Sequence, residues 1–399
     1  MIAGCQCIPP AGPPLLTARY ERASSTVVAQ LDDAEIIAAL PAWRASCGAN
    51  RRGATPGCDA LGADAPDLRR ALSACCDAWR IVAQERRADG TARSGCAIAA
   101  ARDDDCGTVV AERRRGLMTG YYEPELDGSR TRDATHSVPL YGVPPDLLTI
   151  DLAAIYPELR GQRVRGRLVQ TDSGARVVPY WSRAQIEHPA GDGAKLGGGE
   201  LLWVDDPLAA FFLQVQGSGR VRLADGSIVR VGYAETNGQP YRSIGRWLVD
   251  QGELKLQDAT VPGIEAWARA HPERVDELLD ANPSYVFFRE MPLGDPADGP
   301  RGALGVPLQA EHSVAVDPRF VPLGAPLVIS RTDGTRPRAR LAFGQDTGGA
   351  IRGPIRFDLF RGTGPAAGAA AGVQRDEVEA WILLPKGVAP PALLRTDPH

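Results

Sequence analysis

The stretch LAFGQDTGGAIRGPIRFDLF, residues 341–360, decides the reading of this chain. Two apolar runs, LAFGQD and PIRFDLF, flank a glycine-rich turn, which predicts two strands with Asp346 ending the first and Asp358 inside the second. Glycines directly after Asp346 leave room for a ligand's backbone or sugar ring to approach. Three readings compete for that carboxylate. An Asx-turn would use it to accept hydrogen bonds from the following amides. An aspartic peptidase would use Asp-Thr-Gly, but that chemistry needs two such carboxylates sharing one proton, and Asp-Thr-Gly occurs once. The third reading is an acid–base carboxylate that cuts a glycosidic bond. Where the sugar's own hydroxyl attacks, one carboxyl serves first as acid and then as base.

Outward from this stretch, the chain is that of an ordinary globular protein. Its 399 residues allow two or three domains, each large enough to bury a core, with 44% hydrophobic and 24% charged residues. No run approaches the ~18 apolar residues that span a bilayer. A net charge of -4 argues against a nucleic-acid partner, since phosphate neutralisation needs a basic face. The arginine run ERRRG at 112–116 reads as solvated surface.

All eight cysteines (Cys5, Cys7, Cys47, Cys58, Cys75, Cys76, Cys96 and Cys106) fall in the first 106 residues. Their irregular spacing and the absence of histidine among them disfavour zinc, and disulfides in an oxidising compartment are expected instead. The start Ile2-Ala3-Gly4-Cys5 has the apolar-small-small-Cys order of a bacterial lipoprotein processing site, in which Cys5 would carry a lipid anchor; a chance tetrapeptide is the alternative.

Residues 8–30, rich in proline and polar residues, read as a tether. Helical spacing follows at Asp33 to Ala45 and at Asp67 to Glu85, where Leu68, Leu72, Cys75, Cys76 and Trp79 recur. From Leu117 short strands take over. RGRLVQ and ARVVPYW flank the turn TDSG, and QVQGSGRVRL and SIVRVGYA flank ADG, so 130–235 reads as an all-β unit. In QVQGSG, Gln214 and Gln216 sit two apart and would share one face of a strand. Helices are expected again in SIGRWLVDQ, IEAWARA and PERVDELLDA. Strands resume from residue 301 in LGVPLQAEHSVAVD, PLVIS, ARLAFGQD, PIRFDLF and EAWILLP.

Seven blocks complete the picture: GYYEPELDGSR (120–130), PYWSR (179–183), FFLQVQGSGRV (211–221), VGYAETNGQPYRSIG (231–245), NPSYVFF (282–288), VAVDPRFVPLG (314–324) and QDTGGAIRG (345–353). Together, and in this order, they resemble the MltA family of lytic transglycosylases, from about Gly120 to Pro385. The resemblance implies a mainly β fold with α-helices (α+β): a double-psi β-barrel domain with helices, a second, inserted β-barrel, and a substrate cleft between them. On that scheme 1–30 is the tether and 31–129 with 236–399 form a discontinuous catalytic domain whose barrel lies mainly in 301–385. Residues 130–235 are the inserted substrate-binding domain.

The implied reaction is non-hydrolytic cleavage of the β-1,4 bond between N-acetylmuramic acid and N-acetylglucosamine in peptidoglycan, leaving 1,6-anhydro ends. Its acid–base residue maps to Asp346, and the three aspartates of the family's barrel map to Asp317, Asp346 and Asp358. Asp317 and Asp358 are candidates for the electrostatic neighbourhood of the acid or for holding turns of the barrel. A sugar offers an apolar face and a polar rim, so Tyr121 and Tyr122 are expected as platforms. Gln214, Gln216, Ser218, Tyr233 and Asn237 are expected as polar contacts. Trp181, Trp203, Trp247, Trp267 and Trp381 read as packing aromatics. No metal or organic cofactor is expected. The partner is peptidoglycan, with cell-wall enzyme complexes also in view, and the protein is expected as a periplasmic monomer anchored to the outer membrane. The rival class is a non-catalytic peptidoglycan-binding barrel.

Overall fold

Alternation of apolar and polar residues puts most of the chain into strands, and the computed structural model describes residues 15–49, 69, 72, 76–87, 108–152, 154–156, 164–172, 174–189, 194, 196–295, 298–331 and 338–391. The first nine strands are β1 (Leu15–Ala23), β2 (Cys76–Arg87), β3 (Thr108–Arg113), β4 (Gly116–Glu123), β5 (Glu125–Ser129), β6 (Val138–Tyr141), β7 (Leu148–Ile150), β8 (Val164–Thr171) and β9 (Gly174–Pro179). The rest are β10 (Glu200–Val204), β11 (Ser218–Leu223), β12 (Ile228–Thr236), β13 (Val286–Met291), β14 (Ser313–Ala315), β15 (Pro326–Arg331), β16 (Ala339–Asp346), β17 (Arg356–Thr363) and β18 (Arg375–Pro385). The α-helices among the described residues are α1 (Asp33–Ala49), α2 (Arg183–Glu187), α3 (Pro207–Gln216), α4 (Ile244–Asp250), α5 (Val261–Ala270), α6 (Val275–Asp280) and α7 (Gly364–Val373). None is long and apolar enough to cross a membrane. The described residues divide into unit 1, within 1–119, 301–360 and 374–397, and unit 2, within 120–300 and 361–373.

In unit 1 the order β18-β15-β16-β14-β17-β4 closes into a ring, because β4 also pairs with β18. Closure leaves these six strands without an open edge. β14 and β16 run parallel, while β15 is antiparallel to both β16 and β18. The period of two then sorts side chains into two cores. Leu327 and Ile329 of β15 and Ala342 of β16 join Val314, Phe357, Leu359 and Ala380 in one cluster. Their neighbours Val328, Leu341 and Phe343 pack on the opposite face against Ile36, Ala39 and Trp43 of α1, which recur at helical spacing.

Two expectations are corrected in this unit. The helix expected over Asp67 to Glu85 is a strand from Cys76 onward: β2 lies between β1 and β18, where Trp79, Ile81 and Val82 suit a pleated surface buried on both sides. The tether expected over 8–30 contains β1, paired along its whole length with β2, from Leu15↔Arg86 to Ala23↔Ala78. Among the cysteines, Cys47 is disulfide-bonded and Cys76 is buried. The other six, including Cys5 and the lipoprotein reading, lie outside the described residues.

Unit 2 holds the sheet β13-β12-β11-β5-β10-β6, a small sheet β7-β8-β9, and α2 to α7. The hairpins expected around TDSG and ADG are present as β8–β9 and β11–β12. The all-β reading of 130–235 is corrected by α2 and α3. Asp206 caps α3 by accepting from the N–H groups of Leu208 and Ala209, Pro207 occupies its first turn, and Gly217 closes it with φ 81°. One face of α3 (Ala210, Leu213) packs on the sheet, and the other (Leu208, Phe211, Phe212) packs on Leu248, Trp267 and Leu278 of α4, α5 and α6. The helices expected within 241–290 are α4, α5 and α6, and they fall in unit 2 with the sheet.

Candidate active site

Strand register brings two of the expected aspartates together in unit 1. β14 lies between β16 and β17, and its Ala315 is the partner of Asp346 on one side and of Asp358 on the other. With strands about 4.8 Å apart, the two aspartate α-carbons are on the order of 10 Å apart. Burial pushes the Asp358 carboxyl above the usual carboxylate range. A hydrogen bond from Thr119 and the nearby Arg356 guanidinium pull it back, and the charge of Asp346 adds to the rise. Thr119 Oγ1 donates to Asp358 Oδ1 at 2.5 Å and accepts from Arg356 Nη1 at 2.9 Å.

Asp346 is partly exposed at the end of its strand. The N–H of Ala303 donates to its Oδ1 at 2.9 Å, and its carbonyl accepts from the N–H of Val316 at 3.0 Å. The turn at 302–304 approaches this closely only because residue 302 is glycine. A Cβ there would lie 2.5 Å from the Gln345 carbonyl oxygen and 3.3 Å from the Asp346 Cβ.

Asp317 is placed differently. Its side chain is buried and accepts from Gly353 N–H at 2.8 Å, from Arg319 Nη2 at 2.7 Å and from the backbone N–H of Arg319 at 3.2 Å. Burial alone would raise its pKa; the Arg319 side chain and the two backbone donors outweigh it and hold the carboxyl below the ordinary value. A depressed folded-state pKa contributes stability above the unfolded pKa, near ~4, and that contribution is lost as pH falls through the folded value. Asp317→Asn is therefore expected to cost about 1.5–3 kcal/mol at neutral pH, the range for hydrogen bonds to a charged group. Arg319 is 55% exposed, which places the effect toward the lower end. Urea unfolding at neutral pH and near pH ~3 checks this: the gap between mutant and wild type should shrink in acid, and an equal or wider gap there contradicts the assignment.

The expected glycan contacts all lie in unit 2, and they separate into two groups. Tyr121 and Tyr122 are partly exposed on β4, and burial raises the Tyr122 phenol pKa. Gln216 Oε1 accepts from Tyr122 N–H at 3.1 Å, Tyr233 N–H donates to the Gly217 carbonyl at 2.6 Å, and Ser218 opens β11 opposite Gly232. Tyr122, Gln216, Ser218 and Tyr233 thus gather where α3 passes into β11. Gln214 and Asn237 are turned inward. Gln214 is buried and accepts from Arg183 Nη2 at 2.6 Å and Val286 N–H at 3.3 Å. Asn237 is 1% exposed and donates to the carbonyls of Trp181 and Pro283, both at 2.8 Å. The shared strand face expected for Gln214 and Gln216 is corrected: both are on α3, where a step of two turns roughly 200° around the axis, so they face apart.

Sequence reasoning missed three groups that the fold places here. Arg356 was within reach, since it alternates with Asp358 along one strand. Thr119 and the Ala303 N–H carry no local signal. In unit 2 the wholly buried Glu123 was also missed. It accepts from Arg220 Nε at 2.9 Å, Arg230 Nη2 at 3.2 Å and Thr363 Oγ1 at 3.0 Å. A second peptidase-type tripeptide, Asp172-Ser173-Gly174, was also passed over. Its Asp172 and Gly174 lie at the β8–β9 hairpin in unit 2, where Thr171 Oγ1 donates to the Gly174 carbonyl at 2.7 Å and Gly174 has φ 113°, and Ser173 is outside the described residues.

Known proteins resemble this chain. The MltA specific insert domain matches residues 117–289, and the 3D domain matches 312–384. Membrane-bound lytic murein transglycosylase A of Escherichia coli K12 is 34% identical over 275 residues, covering 67% of this chain. The match spans 65% of that relative's own length. Among solved structures, the monoclinic form of MltA from Neisseria gonorrhoeae is 32% identical with a TM-score of 0.71, covering 96% of this chain and 97% of that one. MltA of Escherichia coli with bound chitohexaose is 25% identical with a TM-score of 0.58, covering 94% and 95%.

Proposed function

This chain belongs to the MltA family of lytic murein transglycosylases, and from that premise we propose that it cleaves the β-1,4 bond between N-acetylmuramic acid and N-acetylglucosamine without water. Asp346 protonates the glycosidic oxygen as the bond to the anomeric carbon breaks. The resulting carboxylate then takes the proton of the C6 hydroxyl, whose oxygen attacks the anomeric carbon and closes the 1,6-anhydro ring. The observation that carries this reading is the placement of Asp346 and Asp358 across Ala315, with the Ala303 N–H on Asp346. A neighbouring negative charge favours the protonated acid before cleavage, and the N–H stabilises the ionised form between the two half-steps.

Asp358 acts in this scheme as the electrostatic neighbour and Asp317 as a brace for the 353 turn. Tyr121, Tyr122, Gln216, Ser218 and Tyr233 meet the glycan, while Gln214 and Asn237 hold the strands and loops that carry them. The oligosaccharide bound to the Escherichia coli relative supports a glycan ligand, and the name "membrane-bound" given to relatives supports attachment to a membrane in the periplasm. The strand ring of unit 1 is read as a double-psi barrel. The route uses no metal or organic cofactor.

Incubation with purified peptidoglycan sacculi tests the reading through the masses of soluble fragments. Anhydro-muropeptides are expected. Fragments one water heavier would mean hydrolysis, and intact sacculi would mean a binder that does not cut. Asp358→Asn should move the alkaline limb of kcat/KM to lower pH, because activity needs the protonated acid and the substitution removes a like charge that favours protonation. A shift of roughly half to one pH unit is expected for a charge at this separation. An unmoved limb, or one moved upward, removes Asp358 from the electrostatic role.

A further inference from the structure

Asp346 stands immediately after an irregularity in its strand. Val314 pairs with Gly344 and Ala315 pairs with Asp346, so β16 uses one residue more than β14 at this step, and the extra residue is Gln345. Such a bulge bends the strand and re-aims the side chain that follows. Gln345 is wholly buried, and every polar atom of its side chain is bonded. Its Nε2 donates to the Ala42 carbonyl at 2.7 Å and to Ser46 Oγ at 2.8 Å, both on α1, and its Oε1 accepts from Ser313 Oγ at 2.5 Å. Its carbonyl accepts from Leu304 N–H at 3.0 Å, in the same turn that supplies the Ala303 N–H to Asp346. Cys47, next to Ser46, is disulfide-bonded, which adds a covalent tie to the same turn of α1.

We infer that α1, acting through Ser46 and the Ala42 carbonyl on the amide of Gln345, is a positioning device for the Asp346 carboxyl. This rests on Asp346 being the acid. The helix lies outside both matched family segments, 117–289 and 312–384, so through this network a part of the cysteine-rich first 106 residues bears on the site. A network whose members are all bonded holds one geometry firmly, and a displacement of about 1 Å at a reacting group costs on the order of 10²-fold in rate.

The test measures kcat, KM and thermal midpoint for Ser46→Ala, Gln345→Leu, Asp346→Asn and the control Ile36→Val, which loosens α1 packing away from the network. Ser46→Ala should lower kcat about threefold to tenfold and Gln345→Leu about 10²-fold, with KM within about twofold of wild type. Ile36→Val should lower the midpoint without lowering kcat. A wild-type kcat in Ser46→Ala overturns the inference. So does an equal kcat loss in Ile36→Val, because the effect would then follow stability alone. If Gln345→Leu does not fold, the comparison of Ser46→Ala with Ile36→Val still decides. Substantial turnover by Asp346→Asn would instead overturn the underlying assignment of the acid, an outcome distinct from both.

Discussion

Asp346→Asn is expected to lower peptidoglycan turnover by at least about 10²-fold, the low end of what a positioned acid–base group contributes. The effect should reach further than that, because one side chain serves both half-steps of the proposed route and the amide can neither deliver the first proton nor accept the second. Binding should survive. Asparagine keeps the shape of aspartate and still accepts from the Ala303 N–H, so affinity for a non-cleaved chito-oligosaccharide should stay within about threefold of wild type. Loss of kcat with retained affinity identifies a group that acts on the transition state. Parallel loss of both would make Asp346 a binding or folding residue.

The second large effect lies in unit 2 and concerns stability. Glu123 is 0% exposed and sits among Arg220 and Arg230, which are 8% and 5% exposed. Arg220 Nη2 also reaches the Asp298 carbonyl at 2.9 Å, and Arg230 reaches the carbonyls of Leu293 and Asp298, both at 2.7 Å. The carbonyls satisfy donors but supply no full negative charge. Glu123→Gln therefore removes the buried carboxylate that both guanidinium groups share, a change that costs about 3–5 kcal/mol when a buried pair is broken. For a unit of this size that lowers the thermal midpoint on the order of 10 °C. Replacing all three residues together by Leu and Met should recover most of the loss, since the expense is the broken ion pair and not the missing volume. A midpoint within about 2 °C of wild type in the single variant contradicts this account of the cluster.

What was legible in the sequence was local. The hairpins at 171–174 and 224–227 show in their turn residues, and the strands from 326 onward show in their alternation. α4, α5 and α6 show in their spacing of apolar residues, and Asp346 stands out before its glycines. α3 carried helix signals as well, in Asp206, Pro207 and Gly217, but the polar alternation of QVQG was read as a strand. β2 went the other way. Its apolar residues fit helical spacing, yet the pairing of both its edges with β1 and β18 decides its state, and that partnership is set by segments remote in sequence. α7, built of alanine and glycine, has no apolar period to read. The site shows the same division. Residue types named Asp346 and Asp358, whereas their approach across Ala315, the bulge at Gln345 and the inward turn of Gln214 and Asn237 depend on register and packing, which no short window contains.

The central claim is that the attacking oxygen belongs to the sugar and not to water. The most direct measurement digests sacculi in water enriched in heavy oxygen and weighs the released muropeptides. Products of unshifted anhydro mass, with no label at the new end, are what the account predicts. Incorporation of solvent oxygen at the cleaved carbon would contradict it.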